Sequence, residues 1–173
     1  MEATEVTTQM TFRCSPLPEL EVPMINTMVT CLGSEHRRLN YTTVQLAFAA
    51  TRLASDPGAV RANQPALRVW EEIRRDLWSH LQIEDGLVPS WGEAHHAISG
   101  ALLATLKNER QKMRKLMGAL RAGSSGTDRE PQTVGDRSSF AQTLLALART
   151  LDSHVERYDG EVLPSILRAL FHK

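Results

Sequence analysis

Residues 65–86 read PALRVWEEIRRDLWSHLQIEDG, and their pattern decides the fold. Leu67, Trp70, Ile73, Leu77, Leu81 and Ile83 recur largely at intervals of three and four, which gathers them into one stripe of an α-helix. Pro65 suits a first helical turn, and the following GLVPSWG is expected to end the helix near Gly86. The same stretch carries His80 and Glu84. Four residues apart, they share a face one turn apart, a spacing that a metal ion can bridge. Asp76 lies one turn earlier on that face, where it can hydrogen-bond a ligand histidine and set its tautomer.

Helical patterns flank this one on both sides. EHRRLNYTTVQLAFAATRLA predicts a helix from about Ser34 to the turn signal SDPG, with Leu39, Val44, Leu46, Phe48 and Leu53 on its apolar face. A third helix is expected from about Trp91 to Arg121, with Ile98, Leu102, Leu106, Met113 and Leu116 at core spacing. A fourth is expected from about Ser138 to Gly160, followed by a short closing helix, PSILRALFHK. Residues 122–136 are rich in Gly, Ser and polar groups and read as a flexible loop. SPLPELEVP has three prolines in nine positions, so residues 1–33 read as an irregular N-terminal arm. The expected fold is all-α: an up-down-up-down four-helix bundle over residues 34–173 with a short C-terminal helix.

Composition excludes several classes. The chain has 173 residues, enough for one domain with a substantial core. Formal net charge is zero, so the basic footprint of a nucleic-acid binder is missing. The longest basic run, KNERQKMRK (residues 107–115), reads as a solvated helix face. No stretch approaches the run of about 20 apolar residues that crosses a membrane. The N-terminus is polar and lacks the apolar core of a secretory signal. Cys14 and Cys31 read as free thiols, and a cytoplasmic location is expected.

The histidines carry the chemistry. His36 falls near the start of the first expected helix and His80 near the end of the second. His95 and His96 fall near the start of the third, and His154 near the end of the fourth. In an antiparallel bundle the start of one helix lies beside the end of the next, so these positions share one level. A lone buried histidine is usually a hydrogen-bonded core residue, and His172 at the C-terminus has that bland reading. A histidine on each helix at one level, two of them with nearby carboxylates, is a different pattern. His95 and His96 lie about 100° apart on a helix, so one is expected to bind; His95 better matches the stripe of Ile98, Leu102 and Leu106. His154 is followed by Tyr158 four residues on and Asp159 five residues on. Tyr158 is the better aligned, and a distorted last turn is needed to swing Asp159 inward. Imidazole with carboxylate suits iron, and such mixed sets occur in the cores of di-iron bundles.

The pieces EHRRLN, HLQIEDGLVP, EAHHAI and HVERYDGEVLP, in this order and spacing, resemble the hemerythrin-like family, the HHE cation-binding domain. The resemblance runs from about Ser34 to Pro164. It places metal-ligand roles on His36, on His80 with Glu84 as bridging carboxylate, and on His154. Asp159 matches the second bridge of the oxygen carriers, whereas many other members have Glu where this chain has Tyr158. Oxygen carriers also pair two histidines four apart on the third helix. The residues four beyond His95 and His96 are Ser99 and Gly100, and those four before are Trp91 and Gly92, so one imidazole is missing.

The resemblance implies a cofactor of two iron ions, oxo- or hydroxo-bridged, with manganese as an alternative. The missing imidazole and Tyr158 argue against simple reversible oxygen carriage. The leading expectation is a non-heme di-iron oxidoreductase reacting with O2, peroxide or nitric oxide, with peroxidase, catalase-like, oxidase or oxygenase chemistry. Its partners are then a small diatomic or peroxide ligand and, for an oxygenase, a small-molecule substrate; nucleic acid and membrane are not expected. The alternative is an oxygen- or iron-binding sensor, carrier or store without turnover. Trp78, Trp91 and Tyr41 are candidates for lining an access route, with core packing as the plainer reading.

Overall fold

The computed structural model describes residues 22–56, 63–94, 98–124 and 133–171. Four long helices account for most of them: α1 (Val22–Ser55), α2 (Asn63–Ala94), α3 (Gly100–Ser124) and α4 (Val134–Arg157). A π-helical turn, Tyr158–Val162, then leads without a break into a short α5 (Leu163–Phe171). Each long helix packs against the next, and α4 closes the ring on α1. The result is the expected four-helix bundle with a short C-terminal helix.

The helices form where apolar side chains recur at bundle spacing. On α1, Leu32, Leu39, Leu46 and Leu53 follow one another every seven residues and are all buried. Ala66, Trp70, Ile73, Leu77 and Leu81 do the same work on α2, as do Leu106, Met113, Met117 and Leu120 on α3. α4 begins at a capping box: Thr133 accepts from the Asp136 backbone N–H, and the Asp136 side chain accepts from the Thr133 N–H. Among the described residues, no helix is long and apolar enough to cross a membrane. Cys31 is an exposed free thiol; Cys14 and His172 lie outside the described residues.

Several boundaries differ from expectation. α1 starts at Val22, well before Ser34, with Pro23 tolerated in its first turn. α2 does not end at Gly86 but continues through Pro89 and Trp91 to Ala94, so α3 starts at Gly100 and not near Trp91. α4 starts at Val134, inside the stretch read as a loop, because Thr133 and Asp136 cap it. Gly160 does not stop α4; the chain passes through it in π geometry. Side chains differ too. Val44, Phe48 and Ile83 point to solvent, because bundle geometry buries a narrower stripe than their apolar character suggests. Tyr41 and Trp78 are also exposed and so pack in no core.

Two apolar clusters stack along the bundle. The larger takes in Leu39, Leu46, Leu53, Trp70, Leu77, Met113, Leu144 and Leu151. The smaller joins Leu32, Ile98, Leu106, Tyr158, Val162 and Ile166. A polar layer lies between them: His36 between Leu32 and Leu39 on α1, Arg110 between Leu106 and Met113 on α3, and His154 between Leu151 and Tyr158 on α4, all buried. α2 adds His80 and Glu84, also buried.

Candidate metal centre

The layer is built around Glu84, which has no solvent exposure. Its Oε1 lies 3.1 Å from His80 Nε2 and 3.6 Å from His36 Nε2. Its Oε2 lies 2.9 Å from His154 Nε2. His36 Nε2 and His80 Nε2 themselves face each other at 3.1 Å, with their rings edge to face. Three imidazoles on three helices thus turn the same nitrogen, Nε2, towards one carboxylate.

The other nitrogen of each ring is held by a different acid. His36 donates from Nδ1 to Asp159 at 2.7 Å, His80 to Glu35 at 2.9 Å and His154 to Glu109 at 3.2 Å. Glu109 is held in turn by Arg157 at 3.0 Å. A carboxylate at Nδ1 fixes the tautomer that leaves a lone pair on Nε2 and makes that nitrogen a better donor to a metal. With all three rings in this tautomer, Nε2 lone pairs face carboxylate oxygens and one another. Acceptors facing acceptors in a buried layer repel unless protons or a cation lie among them. His36, His80 and Glu84 bring their ligand atoms close enough to hold one ion.

The electrostatics record the same convergence. Burial opposes ionisation of Glu84, but hydrogen bonds from His154, His36 and His80 outweigh it and hold its pKa well below the carboxylate range. Burial would lower the pKa of His154, but hydrogen bonds to Glu109 and Glu84, and their charges, raise it to about 9. Glu84 and Glu35 likewise prevail over burial and raise that of His80.

Tyr158 is fully buried, its ring 4.7 Å from that of His36 and 6.1 Å from that of His154. Its hydroxyl has no hydrogen-bond partner among the described residues. Burial and the Glu84 charge push its pKa well above that of a free phenol. A buried phenol whose oxygen has no hydrogen-bond partner among the described residues, its ring packed on two imidazoles, fits a metal donor set.

The sequence-predicted residues divide. His36, His80, Glu84, His154 and Tyr158 are brought together. Asp159 also reaches the layer through the π-turn, but at the outer nitrogen of His36 and not as an oxygen shared with Glu84. Asp76 does not meet a histidine: it pairs with Arg38 at 3.4 Å, and Glu35 takes the role expected of it. His95 and His96 lie outside the described residues, between the end of α2 and the start of α3. The residue that α3 adds to the buried layer is Arg110, whose Nε lies 2.8 Å from Asp85. Glu35, Glu109 and Arg110 were not singled out from sequence. Their signal is an acid or base at the right level on a neighbouring helix, invisible until the helices are in register.

A helical bundle whose inner layer gathers histidines and a carboxylate that can hold a cation is a metal-binding bundle. The chain belongs to the hemerythrin HHE cation-binding domain family, whose model matches residues 43–166. His36 stands ahead of that span, and the packing of α1 on α2 brings it to the cluster. No curated protein and no solved structure matches the chain.

Proposed function

We propose that this protein is a non-heme iron protein, with two ions sharing Glu84, that reacts with O2, peroxide or nitric oxide. The observation that carries this reading is the convergence of three Nε2 atoms on one buried carboxylate, each ring anchored by its own acid. His36, His80 and Glu84 would hold metal, and His154, whose Nε2 also faces Glu84, would join them. Tyr158, its ring packed against those of His36 and His154, would offer a phenol oxygen. Imidazole, carboxylate and phenol are the donor types that iron accepts, with manganese the nearest competitor.

Bound iron would supply one-electron redox chemistry towards the small ligand. The chain's own residues do the rest. Glu35, Glu109 and Asp159 hold the imidazoles in one tautomer and orientation, so the site is preorganised for metal. Leu32, Leu106 and Val162 on one side and Leu39, Leu81 and Leu151 on the other exclude water. His36, Glu84, His154 and Tyr158 are wholly shielded from solvent, which favours a diatomic molecule or peroxide over a bulky substrate at the ions themselves. Arg110 brings a fixed positive charge to the layer. The sequence has no histidine four residues from His95 or His96, and fewer protein donors would leave metal positions open, the condition for reaction over mere structural binding.

Iron content and the visible spectrum, before and after peroxide, test the proposal. About two irons per chain, with a visible band that peroxide changes, are expected, and repeated consumption of peroxide supports turnover. Reversible oxygenation without consumption would instead identify a carrier or sensor. Failure to take up iron or manganese under anaerobic conditions would overturn the reading.

A further inference from the structure

α2 and α3 are the most loosely packed neighbours in the ring of long helices, among the described residues. A cavity of about 490 Å3 lies between them, open to solvent. Arg74, Arg75 and Trp78 of α2 and Arg114, Met117 and Gly118 of α3 line it, and Arg121 adds a further guanidinium. None of these residues belongs to the histidine cluster.

Positive charge here exceeds its local compensation. Arg74 pairs with Glu71 at 2.8 Å. Asp85 is shared between Arg114 and the buried Arg110. Arg75 pairs with no carboxylate among the described residues. Arg110 Nη1 is buried without a hydrogen-bond partner among them. Arg74, Arg75, Arg110 and Arg114 therefore have two paired carboxylates, Glu71 and Asp85, among the four of them, within a chain of zero net charge. Their repulsion is strongest where protein walls displace water, and an anion between α2 and α3 relieves it. The guanidinium fork matches phosphate in particular, because it donates two parallel N–H bonds.

The second feature is Trp78, 49% exposed on the wall of the same groove. Its indole offers a planar face for stacking, and the buried Met117 provides an apolar floor. The volume lies within the range of small-molecule sites. Residues 107–115, read from sequence as a solvated basic face, thus turn Arg110 inward and Arg114 into the groove.

We infer that the α2–α3 groove binds a phosphorylated planar aromatic molecule of mononucleotide size, its phosphate on Arg75 and Arg114 and its ring on Trp78. This site stands independently of the metal centre.

Calorimetric titration of the full chain with adenosine monophosphate and with flavin mononucleotide tests it, on protein as purified and after chelation. At least one is expected to bind in both forms, more weakly as salt rises. Adenosine and inorganic phosphate are each expected to bind at least tenfold more weakly. Arg75→Ala is expected to weaken binding at least tenfold. Gly118→Phe should block the groove, and its helical content by circular dichroism should match that of Gly118→Ala, whose added Cβ meets nothing within 4 Å and whose helix propensity exceeds that of glycine. Absence of binding by both nucleotides at millimolar concentration would overturn the proposal. So would unchanged binding in Gly118→Phe, or phosphate binding as tightly as the nucleotides.

Discussion

Each buried histidine gives Nδ1 to a carboxylate and turns Nε2 towards Glu84, so the acids are as much a part of the centre as the rings. Outer carboxylates of this kind typically change metal affinity by about 10–100-fold. Glu35→Gln and Glu109→Gln are each expected to weaken metal binding by that factor in a competition assay against a chelator. Asp76→Asn should leave it unchanged, because Asp76 pairs with Arg38. Equal losses in Glu35→Gln and Asp76→Asn would contradict this division of roles. Tyr158→Phe removes an oxygen that has no hydrogen-bond partner among the described residues. If that oxygen ligates iron, the variant folds normally but loses the phenolate-to-iron absorption band. An unchanged spectrum would exclude Tyr158 as a ligand.

Two helix ends show how local chemistry and packing divide control of the elements. The start of α4 is local: Thr133 and Asp136 cap it reciprocally, and Thr133→Ala is expected to cost about 1 kcal/mol in denaturant unfolding. The end of α2 is not. Gly86 followed by Pro89 is a stop signal in sequence, yet the helix continues to Ala94. Gly86 is exposed, and an added Cβ there meets nothing within 4 Å. Gly86→Ala is therefore expected to stabilise the protein by about 0.5–1 kcal/mol, the usual gain at a helix interior. Were Gly86 instead a left-handed helix terminator, the same change would destabilise it. The π-turn at Tyr158–Val162 is the third case, where a distortion inside a continuous helix puts Tyr158 in the layer and Asp159 on His36.

Across the whole molecule, the polar layer makes folding, protonation and metal uptake one coupled process. Three imidazoles and a carboxylate are buried between two apolar clusters, and without metal they must be held by protons. In the metal-free protein, His154 has its pKa raised to about 9. A raised histidine pKa contributes stability that is fully present below the unfolded value of about 6.5 and is lost as pH climbs through the folded one. The melting temperature of the apoprotein should thus fall between about pH 6.5 and 9. Metal binding must displace those protons, so affinity rises over the same window. The gap in melting temperature between loaded and chelated protein should widen towards pH 9. Metal at a thousand times its dissociation constant stabilises by about 4 kcal/mol. A gap that is constant with pH would show that the histidines do not exchange protons for metal.

Much of this architecture was legible in the chain. Apolar residues every three to four positions specified four helices, because burial of one stripe is the main way a helix is stabilised in water. The spacing of His80 and Glu84 placed both on one face, because one turn of helix spans about four residues. The order of the helices put His36, His80 and His154 at one level, since short connections force antiparallel neighbours. What sequence spacing could not carry was the relation between helices. Leu39 and Val44 both belong to the apolar set of α1, but only packing decides that Leu39 is buried and Val44 exposed. Glu35 and Glu109 lie 45 residues from the histidines they orient, on different helices. The rotation of each helix about its axis, and the π-turn that aims Asp159, follow from how whole side-chain surfaces interlock. That interlocking is a property of the assembled bundle, and it decides which acid serves which histidine.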